Sequence, residues 1–218
     1  PIAGHFPMLR RSLIGATGGA AIGQHIGANS QAAIRLKFPR DAGSHPDYAT
    51  EWWYVTGCIY GEAGIPLFGF QVTFFRSRIS ATQGMQSRLA AKQLIFAHAA
   101  VTDITGKKLW HDQRVARASG AEPGQNPLDT ASASTQDTSI ALKDWSLARQ
   151  KDGHLRAQVK GDAFSMALSL AETQPLLLQG LEGLSQKGPD PTQTSYYYSL
   201  PHLQVGGELI LQGKRYTV

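Results

Sequence analysis

The chain has one cysteine, Cys58, among 218 residues. An internal disulfide and a cysteine-built metal site are therefore both excluded. Charge is sparse as well, with Asp, Glu, Lys and Arg together at 17%. The formal excess of +5 comes from 21 Lys and Arg against 16 Asp and Glu. Setting aside Arg10 and Arg11, which fall in a leader-like segment, leaves 19 against 16, or +3. An excess of that size, with no basic stripe interleaved with aromatics, argues against a nucleic-acid partner. No apolar run approaches the roughly 18 residues that a membrane-spanning helix needs, so membrane contact, if any, is peripheral. No stretch of useful length carries 3.6-residue periodicity, and turn residues interrupt the pattern about every ten positions. The chemistry of several enzyme classes is missing too. No Gly-x-Ser-x-Gly elbow presents a nucleophilic serine. The Gly-rich N-terminal stretch neither follows a strand nor precedes Lys-Ser/Thr, so it is not a phosphate loop. No second histidine stands at ligand spacing from His98, so zinc is unsupported, and nothing in the sequence calls for a cofactor.

What is present is β-structure rich in aromatics. Glu51-Trp52-Trp53-Tyr54-Val55-Thr56-Gly57 places a carboxylate directly before two tryptophans and a tyrosine. Consecutive tryptophans on a strand point to opposite faces, so one indole enters the core and the other faces the second surface. The run Phe68 to Arg76 echoes this pattern: Phe70, Val72 and Phe74 share one face, and Gln71, Thr73 and Phe75 share the other. Apolar walls with few, placed polar groups are what a ligand-holding cavity requires. A plain aromatic β core is the competing reading, but Glu51, Gln71 and Arg76 would be costly there without partners.

Residues 1–34 do not read as fold. Met8 is a possible start, with Pro1 to Pro7 an upstream extension. Arg10-Arg11, a weakly apolar stretch from Leu13 to Gly23, and the small-residue site Ser30-Gln31-Ala32 follow in the order of a secretory signal. The paired arginines favour the twin-arginine route, with cleavage after Ala32 and a periplasmic or secreted product. A Gly-rich disordered terminus or a short helix competes. Residues 35–218 then form one β domain. Strands are expected at Trp52 to Tyr60, Leu67 to Arg76, Gln93 to Ile104, Leu109 to Ala116, Ile140 to Arg149 with a bulge at Lys143-Asp144, Leu155 to Val159, Phe164 to Leu170 and Thr194 to Leu200. Leu176 to Gln179 adds a short strand, and His202 to Val218 a hairpin turning at Gly213-Lys214. Ala118 to Asp137 reads as exposed loop, and Ser77 to Lys92 as a lid or rim loop. Together these imply an antiparallel sandwich or barrel.

Several segments in combination resemble one family. They are Glu51 to Gly57, Gly69 to Arg76, Phe96-Ala97-His98-Ala99-Ala100-Val101-Thr102-Asp103, Ser185-Gln186-Lys187-Gly188-Pro189, and Ser195-Tyr196-Tyr197-Tyr198-Ser199. These resemble the lipocalin-like AttH/CrtC family, which includes carotenoid 1,2-hydratases and secreted proteins labelled hydrolases. The resemblance runs from about Phe38 to Val218. It implies two lipocalin-like β-barrels in tandem, of which this chain would be the first, short of its last strands. It further implies an apolar, isoprenoid-like ligand and, in the hydratases, acid-catalysed addition of water to a carbon–carbon double bond. The family's catalytic Asp-His-x-Trp segment would lie beyond Val218, so its roles are not carried over.

The candidate ligand-binding residues are Glu51, Trp52, Trp53, Gln71, Phe75, Arg76, His98 and Tyr197. Glu51 is a weak candidate acid, and equally a carboxylate that fixes a loop or pairs with Arg76. His98 shares a face with Leu94, Phe96 and Ala100 and reads first as a core histidine. Tyr196 to Tyr198 read first as packing. Three functions follow: an exported hydratase relative, a non-catalytic carrier of an apolar ligand, and an isomerase or cyclase of a biosynthetic pathway.

Overall fold

The computed structural model describes residues 9–14, 35–61, 64–189 and 193–218, the first of these through its backbone pairing. The strands, in chain order, are β1 (Leu9–Ile14), β2 (Thr50–Tyr60), β3 (Pro66–Arg78), β4 (Gln93–Asp103), β5 (Lys108–Ala118), β6 (Ala131–Ala133), β7 (Ser139–Leu142), β8 (Trp145–Arg149), β9 (Leu155–Lys160), β10 (Phe164–Glu172), β11 (Leu177–Leu178), β12 (Leu184–Gln186), β13 (Thr194–Leu200), β14 (Leu203–Leu211) and β15 (Lys214–Thr217). The helical content of the described residues is two single 3-10 turns, Arg40–Ala42 and Ser80–Thr82.

All ladders are antiparallel, and they build two sheets. One has the order β11-β13-β1-β2-β3-β4-β5, with β12 also on β13; the other runs β15-β14-β10-β9-β8-β7-β6. Among the described residues no ladder joins the sheets, so the architecture is the lipocalin-like sandwich rather than a closed barrel. Long meanders of this kind arise because short turns connect neighbouring strands that each bury one face.

The core lies between the sheets. From the first come Trp53, Val55, Ile59, Phe68, Phe70, Val72, Phe74, Ile95 and Val101; from the second come Ile140, Leu142, Trp145, Leu147, Leu155, Met166 and Leu168, all buried. Each buried indole has a partner for its N–H. Trp53 Nε1 donates to the Ala42 carbonyl at 3.1 Å, and Trp145 Nε1 to the Lys160 carbonyl at 2.8 Å. Such pairing removes the desolvation cost of an unmet donor.

Three sequence expectations are corrected. Ile140 to Arg149 is not one bulged strand but the hairpin β7–β8, with Leu142 facing Trp145 across it. Lys143 takes φ +56° at the turn, and the switch of apolar face reported a reversal of chain direction. The last hairpin turns at Gln212-Gly213, both with positive φ, one residue earlier than expected. That pair of left-handed residues is the form that suits a two-residue β-turn. Ala131–Ala133, inside the expected loop, is strand β6 and pairs with β7. Separately, residues 9–14, which fall within the expected leader, pair with β2 on one side and β13 on the other. Cleavage after Ala32 would take this strand out of the sheet. The rest of the expected leader lies outside the described residues.

One glycine in β14 is obligatory. Gly207 has φ +127°, and a Cβ there would stand 2.1 Å from the carbonyl oxygen of Ala167 on β10. Both the backbone conformation and the close approach exclude a side chain.

Candidate functional site

The eight candidate residues do not meet in one chamber; the sheet divides them between its two faces. The β2–β3 register sets Glu51 opposite Arg76, Trp52 opposite Phe75 and Trp53 opposite Phe74. Directly opposed residues share a face. Glu51, Trp53 and Arg76 therefore point inward to the sandwich core, while Trp52, Gln71, Phe75, His98 and Tyr197 point outward.

The inward group forms a buried corner. Glu51 and Arg76 are both fully buried, at 0% exposure. Arg76 Nε donates to Glu51 Oε2 at 2.6 Å, and its Nη2 donates to the carbonyls of His45 and Tyr48 at 2.9 and 2.7 Å. The Glu51 carboxylate also accepts from Ser44 Oγ at 2.9 Å and from the His45 backbone N–H at 2.8 Å. His45 Nδ1 lies 3.0 Å from Glu51 Oε1, and its Nε2 lies 3.0 Å from Asp41 Oδ1 and 3.1 Å from an Arg40 nitrogen. Burial acts to raise the Asp41 pKa. The Lys37 backbone N–H, the His45 hydrogen bond and the charges of His45 and Arg40 outweigh it, so the carboxyl sits below its ordinary value. Every oxygen of Glu51 is thus committed to holding the 39–48 lead-in against β2 and β3. A carboxylate with both oxygens engaged in this way has none left to present to a substrate.

The outward group forms a strip of rings. The cross-strand row runs Trp52, Phe75, Phe96, Val115 along β2, β3, β4 and β5. Phe75 and Phe96 stack with centroids 4.5 Å apart and planes 7° from parallel. Phe96 remains 38% exposed. In the next row Tyr54, Thr73, His98 and Gln113 stand side by side. The His98 ring lies 5.6 Å from Phe75, and its Nε2 lies 3.2 Å from Gln71 Nε2, which also donates to Thr73 Oγ1 at 3.0 Å. Tyr197 is on the same face through Ser12, which faces Tyr197 on one side and Trp52 on the other. Two strand spacings, about 10 Å, therefore separate Tyr197 from Trp52. The Lys187 ammonium lies 4.8 Å from the Tyr197 ring centroid.

His98 is thus not a core histidine. Its face-mates are those expected, but that face is the outer one. Ile95, Ala97, Ala99 and Val101 fill the inner face of β4. With two apolar faces, alternation in β4 does not reveal which is buried. Phe96, which sequence reasoning named only as a neighbour of His98, belongs to the strip; its position opposite Phe75 was the missing information.

Burial holds the His98 imidazole below its ordinary pKa of 6.5. On acidification the unfolded chain then takes up this proton before the folded one does. Stability accordingly falls as pH drops from the ordinary value to the lowered one and then levels off. A His98→Gln variant is expected to lose that part of the slope, read as the urea midpoint from neutral to mildly acid pH.

No carboxylate shares the strip. None of the outward residues of β2, β3, β4 and β5, from Thr50 through Arg117, is Asp or Glu. Among the described residues no group of three His, Cys, Asp or Glu side chains could hold a metal ion, and no helix is long and apolar enough to cross a membrane.

Two antiparallel sheets with a continuous apolar core between them define a lipocalin-like all-β protein. Residues 29–218 match the AttH-like family model, and the chain belongs to that family. It is similar to the crystal structure of an AttH candidate from Nitrosomonas europaea, at 41% identity and a TM-score of 0.72, over 87% of this chain and 54% of that one. The chain thus spans about half the length of that relative. A search of curated proteins finds no match.

Proposed function

We propose that this AttH-like chain binds an elongated apolar ligand, of isoprenoid type, along the outer aromatic strip of its first sheet. The observation that supports this reading is the partly exposed row Trp52, Phe75 and Phe96, in which the two phenyl rings stack, beside the polar pair His98–Gln71. Rings spent on packing belong between the sheets; these lie on the other side. Flat aromatic faces offer large apolar area at small entropic cost, and one polar pair suffices to orient a hydroxyl or a double bond.

Catalysis is a weaker reading on this chain. Protonating an isolated alkene needs a carboxylic acid held neutral, as an apolar site can do. Glu51 is on the opposite face and ion-paired, and His98 is held toward the neutral form. A hydratase reaction, an isomerisation or a cyclisation would therefore need its acid from a segment outside the strip. The binding reading needs none.

Titration of the chain with all-trans-retinol, read as quenching of tryptophan emission, should saturate. Phe75→Ala and Phe96→Ala should each weaken binding roughly tenfold. Absence of saturable quenching by the folded chain would refute the site.

A further inference from the structure

The 79–92 loop between β3 and β4 is built to hold a shape rather than to flex. Ile79 N–H donates to the Lys92 carbonyl at 3.0 Å, closing its base. Thr82 Oγ1 donates to the Ile79 and Ala91 carbonyls, and Gln83 Nε2 to the Ile79 and Lys92 carbonyls at 2.8 and 2.7 Å. Above that base every residue from Gly84 to Leu89 is exposed. The exposed set includes Met85 at 51% and Leu89 at 58%. A second loop, 119–130, is tied to this one: the largely buried Asn126 gives its Nδ2 to the Arg88 carbonyl at 2.9 Å. That tie brings Leu128, itself 46% exposed, to the same end of the sheet. Leu128 accepts through its carbonyl from Arg117 Nη2 at 3.2 Å, and Arg117 stands opposite Leu94 on β4.

Around Met85 and Leu89, the charge carried by the first loop and its flanks is of one sign. From Arg78 to Lys92 the chain carries Arg78, Arg88 and Lys92 and no Asp or Glu. The acids of the second loop are already engaged. Glu122 accepts from the Thr135 N–H and hydroxyl, and Asp129 accepts from Arg117 and Ser119. Exposed leucine and methionine on a hydrogen-bonded loop whose charged residues are all cations suit an interface that is apolar in depth and anionic at its surface.

We propose that the joined tip of the 79–92 and 119–130 loops docks on a bilayer bearing anionic headgroups, with Met85, Leu89 and Leu128 entering the acyl boundary and Arg78, Arg88 and Lys92 meeting the phosphates. The proposal goes beyond the ligand-binding reading and stands without it. It places the tip next to Leu94, two residues along β4 from Phe96, so an apolar molecule leaving the bilayer would meet the strip directly.

The test is flotation of the full chain with vesicles of equal parts phosphatidylglycerol and phosphatidylcholine, against phosphatidylcholine alone. Binding is expected to the first, not the second, and to weaken as salt screens the surface charge. Met85→Ser with Leu89→Ser should weaken it about tenfold or more. Arg88→Gln with Lys92→Gln should weaken it by a similar factor. Both pairs are expected to leave the melting curve unchanged, because neither pair supplies a side chain to the loop's hydrogen bonds. No flotation of the folded chain, or flotation that both double variants retain in full, would overturn the proposal. Phe75→Ala serves as the separating control: it should float as the parent chain does while binding retinol roughly tenfold more weakly.

Discussion

Glu51→Ala is expected to cost about 3–5 kcal/mol, because it leaves the Arg76 guanidinium buried and uncompensated. The two groups have 0% exposure and a 2.6 Å contact, so the guanidinium left behind lies out of reach of bulk solvent. The same change strips the Ser44 hydroxyl and the His45 N–H of their acceptor and releases the lead-in that caps this end of the core. Against a total stability on the order of 5–15 kcal/mol, a loss of that size leaves the variant marginal. Arg76→Met should be comparably harmful, since it buries the Glu51 charge alone and deletes the bonds to the His45 and Tyr48 carbonyls. The double variant Glu51→Leu with Arg76→Met should cost less than the two singles summed, because neither change then orphans a charge. Urea unfolding of the four proteins measures the coupling. Additive losses would mean that the pair is not the unit holding this corner, and an undamaged Glu51→Ala would return that carboxylate to consideration as a catalytic acid.

That corner also shows how far the sequence could be read. The adjacency of Glu51 and Trp52-Trp53 showed that the strand alternates, and the echo in Phe68 to Arg76 showed which positions travel together. Both inferences rest on the period of two alone, and both hold. What periodicity cannot supply is the identity of the faces. Glu51 and Arg76 are polar, so placing them with Gln71 and Trp52 beside a ligand was natural, yet register and parity put them with Trp53 and Phe74. Only the partnership between two residues 25 positions apart makes the inward placement tolerable, and no local pattern contains it. The β7–β8 hairpin was misread for a related reason. A left-handed residue is easily anticipated at glycine, and Lys143 gives no such signal. The strand character of β2, β3, β4, β9 and β10 was legible throughout because aromatic and β-branched residues, or clean alternation, fill their inner positions.

The two adjacent tryptophans give the sharpest separation between packing and binding. Trp53 is fully buried, and its indole N–H is satisfied by the Ala42 carbonyl. Trp53→Ala removes the largest side chain at the centre of the first sheet's inner face and should cost about 3–5 kcal/mol. For a chain of this length that lowers the melting temperature by about 6–20 °C. Retinol binding by whatever fraction stays folded should be close to that of the parent. Trp52 lies one residue earlier and on the opposite face, in register with Phe75. Trp52→Ala opens no cavity between the sheets, so its effect on stability should stay within about 1 kcal/mol, while loss of one ring from a three-ring row should weaken retinol binding roughly tenfold or more. Melting curves and retinol titrations on both variants thus form a crossed pair. If Trp53→Ala abolished binding without loss of stability, or Trp52→Ala unfolded the chain and left binding intact, the faces would have been assigned the wrong way round. The ligand would then have to lie between the sheets, where the present packing leaves Trp53, Phe74 and Trp145 buried against one another's sheets.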